Sequence, residues 1–218
     1  MRHPQTLYIA CFAGLMSSPM LAFGALWGVP YTMQAYGLSR VEAASAMAPI
    51  LFGFTAGAPA WGWFSDRIGR RKPPMLAGAL TGLASVAAAI YIPGLPLAIF
   101  SILLFFVGFG GACMAVSYAA AREHTAGGGT GAALGFVNMV SVLGGAVFQP
   151  LLGWLLDLQW DGTLAAGARV YTAEAFRNAF LVLPAVYLLG FGFALRVRET
   201  FCRPHAAPVE RAPVTARA

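Results

Sequence analysis

Six long apolar stretches, joined by connections as short as two residues, leave this chain few ways to fold in water. They run over Leu7–Tyr31, Ala43–Phe64, Met75–Ile92, Leu95–Ala121, Gly131–Leu156 and Phe176–Val197. A helix needs about 20 mostly apolar residues to cross roughly 30 Å of hydrocarbon. Each stretch is long and continuously apolar, without the alternation of a barrel strand, so each is read as a helix whose backbone is satisfied within itself. Charge inside these limits is confined to Arg177 and Arg196, each near a span end. A charge at mid-bilayer costs about 2.5–3.5 kcal/mol, which accounts for that placement. Composition agrees: hydrophobic residues make up 59% and charged residues 10% of the 218, against roughly 25% charged in soluble domains. The expected fold is an all-α membrane protein of six transmembrane helices. The first run exceeds the ~7–15 residues of a signal-peptide core and is read as a retained span.

The net charge of +6 does not point to nucleic acid, because its carriers fall in short loops and a tail. With both termini in the cytoplasm, eleven basic residues lie inside: Arg2, Arg67, Arg70, Arg71, Lys72, Arg122, Arg196, Arg198, Arg203, Arg211 and Arg217. Only Arg40, Arg169 and Arg177 lie outside. Cys11, Cys113 and Cys202 are far apart and match neither a metal spacing nor a disulfide framework. His3, His124 and His205 sit in termini or a loop, and phosphate-loop, dinucleotide and nucleophile-elbow patterns are missing. No catalytic residues, cofactor or metal are therefore expected.

The most specific pattern is the decamer Gly62-Trp-Phe-Ser-Asp66-Arg67-Ile-Gly69-Arg70-Arg71, of the form G-x-x-x-D-R-x-G-R-R, between the second and third spans. An acid among arginines and glycines suits a very short turn at a membrane surface. The decamer resembles the signature loop of the major facilitator superfamily of secondary transporters. Similarity to that family continues through Leu26-Trp-Gly-Val-Pro-Tyr, Gln34-Ala-Tyr-Gly-Leu-Ser, Ala121-Arg122-Glu123, Gly131-Ala-Ala-Leu-Gly135-Phe-Val-Asn138 and Arg198-Glu199-Thr200, and covers nearly the whole chain.

The resemblance implies one half, the C-terminal-like one, of the general-substrate-transporter-like fold, in a bacterial inner membrane. It implies a small polar or organic solute and a second six-helix half as partners, since complete members have twelve spans. That half would be a separate chain, a second copy or a preceding segment. By the same resemblance Gly62, Asp66, Arg67, Gly69, Arg70 and Arg71 form a gating loop. Asp66 would face a helix start in the opposite half, and Arg70 or Arg71 would pair with Glu123. A non-transporting fragment or scaffold is the competing expectation.

In the fifth span Asn138, Ser141, Gly145 and Gln149 recur at steps of three, four and four and so share one helical stripe. Such a stripe lines a cavity or ties helices together, and the residues alone leave both open. Tyr118 and Ser117 on the fourth span are further cavity candidates, with Trp27 and Gln34 on the first as weaker ones. Four glycine pairs, Gly24/Gly28, Gly53/Gly57, Gly78/Gly82 and Gly131/Gly135, predict close helix approach. Pro19, Pro49, Pro59 and Pro150 predict kinks. Residues 1–198 form the expected bundle, and 199–218, rich in Pro, Ala and Arg, are expected to lack stable structure.

Overall fold

The computed structural model describes residues 4–125, 129–165 and 167–203. Among them are six helices long and apolar enough to cross a membrane: α1 (Pro4–Tyr36), α2 (Arg40–Ile68), α3 (Lys72–Tyr91), α4 (Leu97–His124), α5 (Thr130–Asp157) and α6 (Ala173–Arg196). Most outrun their apolar runs, and at two of their starts a polar cap sets the end. Ser39 and Glu42 form a capping box that starts α2 at Arg40: the Glu42 N–H reaches Ser39 Oγ at 3.4 Å, and the Ser39 N–H reaches Glu42 Oε2 at 2.9 Å. Thr172 starts α6 by accepting the Ala175 N–H at 3.1 Å.

Prolines act locally. Below Pro19, Ser18 Oγ takes the Leu15 carbonyl (2.9 Å), and the following turns, Met20–Trp27, widen into a π-helix. The Gln149 side-chain amide of α5 then donates to the Leu21 carbonyl of this widened segment at 2.8 Å. Hydrocarbon offers no partner for a loosened backbone, so a neighbouring helix supplies one. Pro184, absent from the sequence expectation, likewise cannot donate to the Phe180 carbonyl in α6, but there the turn tightens instead, and the carbonyl is taken by the Leu183 N–H at 2.9 Å. Helix continues through Pro59 and Pro150.

The bundle is packed by backbone contact. At Gly53 and Gly108 an added Cβ would overlap the facing carbonyls of Phe105 and Ile50, so α2 and α4 touch main chain to main chain. Gly110 brings α4 onto the α3 backbone at Gly82 in the same way, Gly78 makes room for the Cys113 side chain, and Gly82 also accommodates the Tyr187 ring of α6. Between α1 and α5 the contact is Gly14 with Gly144, where a Cβ on Gly144 would lie 2.5 Å from the Gly14 carbonyl oxygen. Gly131 and Gly135 correct the sequence expectation, since a Cβ on either meets nothing within 4 Å. Away from the decamer, Phe23, Tyr31, Phe176 and Phe180 close the core, with Tyr31 and Phe180 centroids 5.3 Å apart.

The α5–α6 connection carries a small ribbon, β1 (Leu164–Ala165) paired with β2 (Ala168–Arg169). Arg169 holds it to the end of α5 through Asp157 (2.7 Å) and stacks 4.6 Å above Trp160. The glycine-rich α4–α5 connection at 126–128, and 204–218 of the tail, lie outside the described residues.

Candidate functional site

The decamer closes α2 and opens α3. Gly69 adopts φ 65°, a left-handed conformation that glycine reaches without a Cβ clash. This permits a Schellman ending: the Arg70 N–H bonds the Ser65 carbonyl and the Gly69 N–H the Asp66 carbonyl, both at 3.2 Å. Ser65, fully buried, donates its hydroxyl to the Arg70 carbonyl at 2.8 Å and locks the turn from inside. The chain thereby reverses within a few residues and delivers Arg71 into the bundle.

Arg71 is the centre of the arrangement, only 6% exposed. Its Nη2 and Nε donate to Glu123 at the end of α4 (Nη2 to Oε1, 2.6 Å; Nε to Oε1, 3.1 Å). Its Nη1 donates to Asp66 Oδ1 (2.6 Å) and Ser65 Oγ (2.9 Å). Burial works against the guanidinium charge, but the hydrogen bonds to Glu123 and Asp66 and the charge of Glu123 outweigh it and hold the pKa above the usual arginine value. Of the two arginines expected to meet Glu123, it is Arg71 that does so. The Arg70 guanidinium lies 5.8 Å over the Phe201 ring, and Arg67 lies 5.5 Å over Trp63. Asp66 remains exposed, its side chain at 69%. A Cβ on Gly62 would meet nothing within 4 Å, so no contact among the described residues requires glycine there.

Two residues assigned to the unstructured tail belong to the cluster. Glu199 accepts the Arg71 N–H (2.6 Å) and the Lys72 N–H (3.0 Å), placing a carboxylate on the first free donors of α3. The Thr200 hydroxyl, 6% exposed, donates to Glu123 Oε2. Lys72 Nζ donates to the Leu195 carbonyl at the end of α6 (2.6 Å). Three helix ends and the start of the tail are thus tied through one arginine and two glutamates.

The polar stripe of α5 divides. Ser141 is buried; its hydroxyl donates to the Val137 carbonyl, and its carbonyl accepts Ser17 Oγ of α1 at 2.6 Å. The Gln149 amide is spent on Leu21, its carbonyl accepts the Trp27 indole (3.0 Å), and Gly145 packs on Leu21. These positions join α5 to α1. Asn138 alone of the stripe is exposed, and Tyr118 of α4 donates to its Oδ1 at 3.2 Å. Ser117 is fully buried, and its Oγ is the one buried side-chain polar atom among the described residues without a hydrogen-bond partner. At the other end, Trp27, Gln34, Arg169 and Tyr171 share the wall of a small pocket. No cluster of three or more potential metal ligands occurs among the described residues.

The family model of the Major Facilitator Superfamily matches residues 7–218. No curated protein matches the chain. With six apolar helices and a match over nearly its full length, the chain is a multi-pass membrane protein that belongs to the Major Facilitator Superfamily.

Proposed function

We propose that this chain serves as a C-terminal-type six-helix half of a secondary transporter in a bacterial inner membrane, with both termini cytoplasmic. It moves a small polar or organic solute by rocking against a second six-helix half. The observation that carries this reading is the buried Arg71 fork between Glu123 and Asp66. A topology anchor needs only exposed positive charge, whereas this loop buries an arginine and leaves the acid outward.

In this mechanism Asp66 is the latch. Arg71 occupies one carboxylate oxygen and fixes its direction. The other oxygen faces a helix N-terminus of the second half, where the dipole and free N–H groups favour an anion. The latch holds one access state, and its release accompanies the rocking motion. Asn138 and Tyr118 stand on the cavity wall, where the amide offers a solute both donor and acceptor. Ser141 and Gln149 support that wall by holding α5 on α1.

The reading is tested by flux through the assembled transporter in proteoliposomes, across a panel of radiolabelled polar solutes. A transported solute is expected to move on the order of tenfold more slowly in Asp66→Asn, as expected when a charge-assisted contact of ~1.5–3 kcal/mol is weakened. Unchanged flux at normal expression removes the latch from the mechanism, and absence of flux for every solute favours a scaffold.

A further inference from the structure

A groove of about 240 Å³ runs between α1, α5 and α6 on the flank of α5 turned away from Asn138. Val140 and Leu143 line it, and Val140 stands about 200° around the helix from Asn138, at 100° per residue. Leu15, Val147, Phe148 and Phe193 complete its apolar walls, and the Gly14–Gly144 contact forms its floor. Leu143 and Val147 are about half exposed at its rim.

One end of the groove is charged. Arg196 follows Phe193 by three residues, so it stands on the same face of α6, one turn nearer the decamer end. Arg198 lies two residues beyond, and its N–H is fixed by Gln5 Oε1 at 2.7 Å, which joins the end of α6 to the start of α1. Both guanidinium groups are exposed, and neither forms an ion pair among the described residues. The nearest acid in sequence, Glu199, is committed to the N–H groups of Arg71 and Lys72.

We propose that this groove binds an anionic phospholipid, one acyl chain lying against Leu143, Val147 and Phe193 and the headgroup phosphate held by Arg196 and Arg198. The chain supplies little selectivity, because bulk lipid is as apolar as the groove. The two arginines supply it, since each basic residue near an anionic headgroup favours binding by roughly fivefold. The inference rests on the membrane-embedded fold and not on transport, so it stands or falls independently of the latch.

Cys11 lines the groove and reports its occupancy, while Cys113 is fully buried and reports folding. Purified protein in dodecyl maltoside is treated with N-ethylmaleimide at pH 8, and modification of each cysteine peptide is timed by mass spectrometry. Dioleoylphosphatidylglycerol is expected to slow Cys11 by about fivefold or more, at concentrations where dioleoylphosphatidylcholine and inorganic phosphate do not. The double variant Arg196→Gln/Arg198→Gln is expected to need on the order of twentyfold more phosphatidylglycerol for the same protection, with Cys113 still unmodified. Leu143→Trp, which fills the groove, is expected to protect Cys11 without added lipid. Equal protection by both lipids, protection by phosphate alone, or a double variant that behaves as wild type would each overturn the proposal.

Discussion

Arg71 joins more of the molecule than any other side chain of the decamer. Its guanidinium is held by Asp66, Glu123 and Ser65, and of the two carboxylates only Glu123 is itself buried, so removing Glu123 leaves the buried cation with an exposed acid alone. Removing one partner of a buried pair costs about 3–5 kcal/mol. Glu123→Gln is therefore expected to lower the melting temperature of the purified protein by several degrees, whereas Arg70→Gln, whose guanidinium rests over an exposed ring, leaves it unchanged. Equal effects from the two substitutions would contradict the assignment of Arg71 as the buried partner. Ser117 makes the opposite case. Its unpartnered hydroxyl costs roughly 1–3 kcal/mol of desolvation, so Ser117→Ala is expected to raise the melting temperature. A fall would mean that the hydroxyl has a partner in the functional protein.

Between elements, helices held by glycine-to-backbone contact differ sharply from helices that are merely near one another. Gly108 meets the Ile50 carbonyl with no room for a Cβ, and the α2–α4 contact depends on it. Gly108→Leu is expected to abolish accumulation of folded protein, judged by a monodisperse size-exclusion peak. Gly135→Leu, on an open face of α5, is expected to leave that peak intact and to slow flux in the assembled transporter. A Gly135→Leu chain that fails to fold would show that α5 is packed on that side. The contrast also shows what periodicity conveys. Paired glycines at four-residue spacing locate surfaces of close approach, but a Cβ on Gly131 or Gly135 meets no atom of the described residues within 4 Å, while Gly14 and Gly144, unpaired in sequence, meet each other. The start of α2 was not placed by hydropathy, since the Ser39–Glu42 capping box carries the helix about a turn beyond the apolar limit at Ala43.

At the scale of the whole molecule, burial is uneven: 61% of an 18-residue apolar stretch of α1 is buried, but only 33% of such a stretch in α2 and 28% in α5. These two helices carry the decamer and Asn138. Six spans and their order were legible because hydropathy is local. The Arg71–Glu123 pair was narrowed to two arginines by motif position alone, since choosing between them requires the backbone path through Gly69. Glu199 and Thr200 were misplaced because composition after α6 reads as a tail, and nothing local announces that a carboxylate returns to the start of α3. Ser141 and Gln149 were left open between cavity and glue because a stripe has two edges, and only the neighbour α1 decides which edge is covered. The proposed latch holds the decamer in one access state of a cavity that Asn138 would face. It is tested most directly by the labelling rate of Asn138→Cys with a membrane-impermeant thiol reagent, read at that peptide in right-side-out and inverted vesicles, with Asp66 and with Asp66→Asn. Reaction is expected chiefly from the outer side with Asp66 present, moving toward the decamer side in the Asp66→Asn background. Labelling that is equally slow from both sides, or indifferent to residue 66, would contradict it.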